Sequence, residues 1–387
     1  MNRLKKMKSV NKAEVLNLLR LRGSLSRAEL ARELSLSKKT TTNLTRELLA
    51  ERKIRANGYQ SSNGGRKAER LELNPDYKYA LGIYLGSDRM EGVVLDLKGQ
   101  IREYGKLGIR TNPPAGYVFK KIGELSREMT SKFKRSDFLG TGFVFHGIMN
   151  EKRTTIISSA ISPRLEGARI KNLIGKPVPV PVKLDGPTHA IALAERWFGV
   201  ARDIDRFMLL ELGAGIGFTL MYKDQLHYGA TGSAGELGHT LAVPKGRMCR
   251  CGHRGCLETV ASIPAIEREA KRRLKVPVPR NFAETNRMAR NGNKTARSII
   301  SKAGDYIGIA ASTLVNSLNP SHLIITGELS EAGDVLIKSI KNSLKKHTTP
   351  LSYKSLRILQ GKLGRQGLPV GAATLALTGV FEPENQA

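Results

Sequence analysis

Gly235-Glu236-Leu237-Gly238-His239 is followed, after nine residues, by Cys249-Arg250-Cys251-Gly252-His253-Arg254-Gly255-Cys256-Leu257-Glu258. All three cysteines of the 387-residue chain fall inside that second stretch. Three thiolates and one imidazole form a closed tetrahedral donor set for zinc, which is the structural rather than the catalytic kind. Thiolate-rich sets favour zinc over magnesium or calcium. Gly252 and Gly255 allow the sharp turns needed to aim three sulfurs at one point. The expected metal ligands are therefore His239, Cys249, Cys251 and Cys256. Two carboxylates flank the set, Glu236 before the histidine and Glu258 after the last cysteine.

A chain of this length holds two to three domains and can bury a large core. Apolar content is ordinary and aromatics are sparse. No run of eighteen apolar residues is present, so a membrane span is not expected. Met1 to Ser9 is basic but leads into no apolar signal core, which together with metal-committed cysteines reads as a cytoplasmic protein without disulfides. The formal charge is +30. Such a field favours polyanions, DNA first among them. A lysine-rich proteome explains charge alone equally well.

The first seventy residues carry more information than the charge does. Asn11 to Gly23 places Val15, Leu18, Leu19 and Leu21 mostly on one helical face, with Gly23 as the stop. Ser26 and Glu29 form a capping box for a second short helix ending near Leu34. Ser35-Leu36-Ser37 makes a turn, and Ser37 caps a third helix from Lys38 to Arg52. This pattern reads as a helix-turn-helix. Ser37, Lys38, Lys39, Thr40, Thr41, Thr42, Asn43 and Arg46 are its candidate DNA contacts, hydroxyls and amide for base edges and cations for phosphates. Ile54 to Leu73 reads as a two-stranded wing, with turn residues at Asn57-Gly58 and from Ser61 to Lys67. Gly65, Arg66 and Lys67 would approach a minor groove. A helical protein-binding module with a solvated face is the other reading. Asn74-Pro75-Asp76 is the expected linker.

From Tyr79 the pattern becomes short apolar strands: Ala80–Gly86, Glu91–Asp96 and Ile101–Ile109, then a helix at about 115–134 and a strand at Phe138–Val144. A similar unit follows, with a helix near Thr188–Phe198, strands Phe207–Leu212 and Gly217–Tyr222, a long helix at Lys294–Leu318 and a strand at Leu323–Thr326. Such repetition indicates a duplicated α/β architecture with a cleft between lobes. Gly213-Ala214-Gly215-Ile216-Gly217 can present N–H groups to a phosphate, or be a plain glycine hairpin.

The Gly235–Glu258 segment resembles the signature of the ROK family (repressors, open reading frames and sugar kinases). Ser26-Arg27-Ala28-Glu29-Leu30-Ala31 and Gly64-Gly65-Arg66 resemble its repressor branch. The resemblance implies an N-terminal winged helix-turn-helix (1–74) and a two-lobed actin/hexokinase-like, ribonuclease H-like α/β domain (75–387). One lobe is expected at about 75–186 plus a C-terminal helix at about 369–382, the other at about 187–368. A structural zinc and a sugar site using Glu236, His239 and Glu258 are implied as well. His239 then has two conceivable duties, as zinc ligand and as hydroxyl contact.

The chain departs from the family's kinases. Counting back from Glu195 along Ala190–Glu195 puts Pro187 where the kinases carry the aspartate that deprotonates the attacking hydroxyl. Asp185 could replace it only with two extra residues before the helix, and Asp185-Gly186-Pro187 reads more simply as a turn with proline opening the helix. Tyr84 stands at the aspartate position of the first phosphate loop, Phe218-Thr219 interrupts the glycine run of the second, and Ile161-Ser162-Pro163 lacks an expected asparagine. The expectation is a non-enzymatic, sugar-responsive repressor that binds palindromic double-stranded operator DNA as a homodimer or homotetramer. Sugar binding would alter lobe closure. An ATP-dependent sugar kinase with an appended DNA-binding head is the alternative, and a repressor that senses no sugar is a third possibility.

Overall fold

The computed structural model describes residues 3–59, 67–150, 152–169, 178–179, 181–275 and 278–383. They form two compact units, Met1–Phe198 with Leu368–Ala387, and Gly199–Gly367.

The first unit opens with α1 (Arg3–Arg22), β1 (Leu25–Ser26), α2 (Arg27–Glu33), α3 (Lys38–Ala50), β2 (Ile54–Tyr59) and β3 (Glu69–Leu73). This is the element order that a winged helix-turn-helix requires. Ser26 Oγ accepts from the Glu29 N–H, and the Glu29 carboxylate accepts from the Ser26 N–H at 2.7 Å, which completes the expected capping box. Ser37 Oγ accepts from the Thr40 N–H at 3.1 Å and starts α3. Each such cap is worth about 1 kcal/mol. Leu16 and Leu19 of α1, Leu30 of α2, Leu48 of α3, Ile54 of β2 and Leu71 of β3 are buried, and the strands form the sheet β1-β3-β2. Two boundaries differ from expectation. α1 begins eight residues before Asn11, and Asn57-Gly58 lies inside β2 rather than at a tip, at an irregularity in the β2–β3 register. The rest of the expected tip, including Gly65 and Arg66, lies outside the described residues, whereas Lys67 is described and exposed.

After a turn at Asn74–Tyr77 come β4 (Tyr79–Leu85), β5 (Arg89–Leu95), β6 (Ile101–Gly108), α4 (Ala115–Thr130), β7 (Phe138–Phe145), β8 (Gly147–Met149), β9 (Ile156–Ser159), β10 (Val182–Asp185) and α5 (Pro187–Phe198). The sheet order is β10-β7-β4-β5-β6, with β7 parallel to β4 and β10, and β4, β5 and β6 antiparallel.

The second unit repeats this plan with β11 (Arg206–Leu212), β12 (Ile216–Tyr222), β13 (Gln225–Leu226), α6 (Glu258–Ala261), α7 (Ile263–Arg273), α8 (Phe282–Arg290), α9 (Lys294–Leu318), β14 (His322–Thr326), α10 (Asp334–His347), α11 (Pro350–Ser355) and β15 (Arg357–Gln360). Its order, β15-β14-β11-β12-β13, is again an antiparallel meander extended by parallel strands. Met208, Leu210, Leu323 and Ile325 pack there against Ile300, Ile307, Leu336 and Ile340 of the helices.

The chain then returns to the first unit as α12 (Gly367–Phe381). Its backbone lies directly on the sheet at Gly142, where a Cβ would collide with the Ala372 carbonyl. α5 also belongs to the first unit rather than beginning the second lobe at 187. Packing explains this. The rings of Trp197 and Phe381 meet edge to face at 4.9 Å, and Arg20 of α1 lies over Trp197 at 4.5 Å. No described helix is long and apolar enough to cross a membrane.

Candidate metal centre and surrounding carboxylates

In the second unit, Leu237–His239 forms one short helical turn, and Met248 to Arg254 folds back on itself as a knuckle. The Cys249 N–H donates to the His253 carbonyl at 2.8 Å, and the Gly255 N–H donates to the Arg247 carbonyl at 2.9 Å. Gly255 has φ +78°, and a Cβ there would collide with the Val243 carbonyl, so a side chain would open the knuckle. The result brings His239, Cys249, Cys251 and Cys256 together, with one donor atom of each within 4.8 Å of all the others. Cys249 Sγ stands 3.5 Å from His239 Nδ1, and Cys251 Sγ stands 3.6 Å from Cys256 Sγ. A tetrahedral ion with 2.3 Å sulfur bonds needs edges of about 3.8 Å, so these donors fit one cation. Without one, the thiols conflict. The His253 N–H leads in drawing Cys251 down to about 6, while burial and two adjacent sulfurs push Cys256 up to about 12. A coordinated cation removes that conflict by holding every thiol as thiolate.

The two nitrogens of His239 face different neighbours. Nδ1 is turned to the cysteines, and Nε2 is 3.6 Å from the Glu236 carboxylate. At that separation Glu236 lies behind the imidazole, on the side away from the cysteines, without a hydrogen bond to it. The Glu236 side chain is 55% exposed and that of Glu258 is 13% exposed. Glu258 starts α6, and its Oε2 sits against Gly215 and Gly238, where a Cβ at either would come within 3.0 and 3.3 Å. Both carboxylates thus border the turn that carries His239. Arg250, a spacer in the sequence pattern, has its Nη2 3.1 Å from Glu258 Oε1.

Glu211 was not singled out from the sequence. It is buried near the end of β11, with its Oε1 close to Gly213. Burial, with Glu258 and Glu328 nearby, pushes its carboxyl up to about 8. The Gly213 N–H donates to the Gly215 carbonyl at 2.9 Å. The glycine loop is therefore a closed hairpin bordered by carboxylates, with one amide already used internally.

In the first unit, the segment read as a turn is one. Pro187 opens α5, and Asp185 ends β10 with its side chain 1% exposed. Asp185 Oδ1 accepts from the Gly186 N–H at 2.8 Å and meets His189 Nδ1 at 2.9 Å, while Arg153 pairs with Oδ2. Burial opposes its ionisation, yet His189 and Arg153 hold the carboxyl below the usual range. Tyr84 is engaged with His146, its hydroxyl 3.0 Å from Nε2.

On α3, Lys38, Lys39, Thr42, Asn43 and Arg46 are exposed, and Arg46 donates to Asn43 Oδ1 at 3.0 Å. Ser37 and Thr40 are committed to each other at 2.9 Å as part of the cap. Thr41 departs from the expectation of an exposed contact. It is fully buried, and its hydroxyl donates to the Ser37 carbonyl at 3.1 Å.

Two units of one topology and a Cys/His knuckle define a duplicated α/β protein of the actin/hexokinase-like class. The chain belongs to the ROK family, whose model matches residues 80–378. It is similar to the xylose repressor of Caldicellulosiruptor bescii, 26% identical over 96% of each chain. It is also similar to a solved ROK family transcriptional regulator, a homolog of the E. coli MLC protein, at TM-score 0.81 and 25% identity over 97% of each chain. A ROK family glucokinase from Streptomyces griseus, in complex with glucose and AMPPNP, matches in fold at TM-score 0.70 and 24% identity, with 78% of this chain covering 100% of that one.

Proposed function

We propose that the chain is a transcriptional repressor. Its N-terminal winged helix-turn-helix binds double-stranded operator DNA, and its family domain binds a sugar effector without phosphorylating it. The observation that carries this reading is the pairing of an exposed Lys39-Thr42-Asn43-Arg46 stripe on a capped helix with a sealed helix start at Pro187. Pro187 cannot take a proton from a hydroxyl, and Asp185 is held in a buried ion pair with Arg153.

Zinc fits the four donors, and its part is structural. It would hold the knuckle closed and with it the positions of Glu236, through His239, and of Glu258. Those two carboxylates and the His239 imidazole are the groups assigned to sugar hydroxyls, since charged acceptors make the stronger hydrogen bonds. Ser37, Lys38, Lys39, Thr40, Thr42, Asn43 and Arg46, with Gly65, Arg66 and Lys67 as read from the sequence, are assigned to DNA, and Thr41 to holding the helix. A palindromic operator calls for a homodimer or homotetramer with half-sites about one helical turn apart. The sugar regulates only if its affinity differs between the DNA-competent and incompetent states.

A thermal-shift panel of sugars, run beside a coupled ATPase assay, tests this. A ligand at a hundred times its Kd adds about 2.7 kcal/mol of stability. One sugar is expected to raise the melting temperature with no ATP turnover. Turnover above background with that sugar contradicts the reading.

A further inference from the structure

We infer that the first two turns of α1 form an additional DNA-contacting arm beside α3, with Lys5 reaching a backbone phosphate and Arg3 and Lys6 adding to its field. The inference rests on the DNA-binding reading of α3. It starts from the early beginning of α1 at Arg3, which makes the basic segment ahead of Asn11 helical. The cations along this helix divide into two sets. Lys8 pairs with Glu47 at 2.7 Å, and Lys12 pairs with Glu47 at 2.9 Å and with Glu51. Arg3, Lys5 and Lys6 are exposed, and among the described residues no carboxylate pairs with them.

The paired set fixes how the two helices align. Lys12 and Glu51 lie 39 residues apart, and Lys8 and Glu47 share that offset, so α1 and α3 run in the same direction along this seam. Carried back by less than a turn, the offset sets Lys5 level with Leu44, and carried back by somewhat more than a turn it sets Arg3 level with Thr42. A residue three before Lys8 and seven before Lys12 shares their helical stripe, so Lys5 continues the side of α1 that faces α3. Its rise beyond Lys8 is only about 4.5 Å. The unpaired cations therefore stand abreast of Thr42, Asn43 and Arg46 rather than on a remote surface. Duplex DNA presents a negative charge about every 1.7 Å of its axis, so a helix entering a groove is flanked by phosphates at this level. Neutralised Lys8 and Lys12 clamp the helices together, and unneutralised Lys5 extends the same stripe towards the backbone.

The test is fluorescence anisotropy of the full-length, zinc-loaded protein with an operator duplex selected from a random pool and with an unrelated duplex, across a potassium chloride series. Lys5→Ala is expected to weaken binding several-fold and equally on both duplexes. It should also lower the slope of log affinity against log salt by about one for each protomer bound. Arg3→Ala/Lys5→Ala/Lys6→Ala should lower that slope further at an unchanged melting temperature. Arg46→Ala, by contrast, should weaken operator binding more than binding to the unrelated duplex. An unchanged salt slope in the triple variant, with wild type binding normally, overturns the arm alone. Failure of the wild-type protein to bind any duplex overturns the repressor reading and the arm with it.

Discussion

Glu258 and Asp185 are both carboxylates at the approach to a helix, Glu258 opening α6 and Asp185 two residues ahead of α5. Glu258 keeps part of its surface open and is matched by Arg250 at 3.1 Å. Asp185 is enclosed between His189, Arg153 and the Gly186 N–H. The difference lies in what holds each one. Glu258 is paired with Arg250 of the knuckle, whose own side chain is half-exposed. Asp185 is held by its own hydrogen bonds, which stabilise the turn and leave nothing for substrate. The first carboxylate is the one assigned to a sugar hydroxyl, whereas the second stabilises the turn.

Metal removal should break this contrast most severely. Stripping the protein with a strong chelator, or Cys251→Ser, is expected to lower the melting temperature by about 10 °C or more. It should also abolish any sugar-dependent thermal shift, with elemental analysis reporting the lost zinc. A chelated protein with an unchanged melt would detach Glu258 from the knuckle.

Asp185→Asn comes next. Breaking a buried ion pair costs about 3–5 kcal/mol, and partial exposure of Arg153 places the expected loss near the lower figure. Denaturant unfolding should show that loss while sugar affinity stays within about twofold. Because the folded carboxyl is held below its ordinary range, its stabilisation is present above the unfolded value and lost as pH falls through the folded one. Acid unfolding of Asp185→Asn should therefore be shallower than that of wild type.

Glu258→Gln should behave in the opposite way. It is expected to reduce sugar affinity about 10- to 100-fold in a calorimetric titration, with stability and zinc content retained. Equal losses of binding from Asp185→Asn and Glu258→Gln would erase the comparison.

The smallest effect is expected at Glu211. Its folded carboxyl titrates near 8, above the unfolded value of 4.5. Its contribution is therefore fully present below about pH 4.5 and is lost as pH rises towards 8. Glu211→Gln should flatten that decline and raise the melting temperature at pH 8 by about 3 °C or more. An unaltered pH profile would place the charge elsewhere.

The clustering of His239 with the three cysteines was legible because a four-donor set imposes spacing and glycines on a contiguous stretch. α9 was legible at both ends, since Asn293 caps its start and Asn319 ends it in the left-handed conformation. What escaped depends on contacts distant in sequence. The first two turns of α1 have little apolar periodicity, and Lys8 and Lys12 secure that helix against Glu47 and Glu51. The membership of α5 in the first unit follows from the Trp197–Phe381 and Arg20–Trp197 ring contacts, which no local pattern reveals. Thr41 reads as one more hydroxyl in a polar run until its bond to the Ser37 carbonyl turns it inward. Glu211 lies in a strand that reads only as apolar, and its raised carboxyl reflects burial together with Glu258 and Glu328 from two other segments.

The most direct measurement is fluorescence anisotropy of a selected operator duplex titrated with the zinc-loaded full-length protein, with and without the sugar that stabilises it. The account predicts sequence-specific binding whose affinity that sugar changes at least about tenfold, with the sugar recovered unphosphorylated in the presence of ATP and magnesium. Operator affinity indifferent to every sugar, or conversion of the sugar to its phosphate, would contradict it.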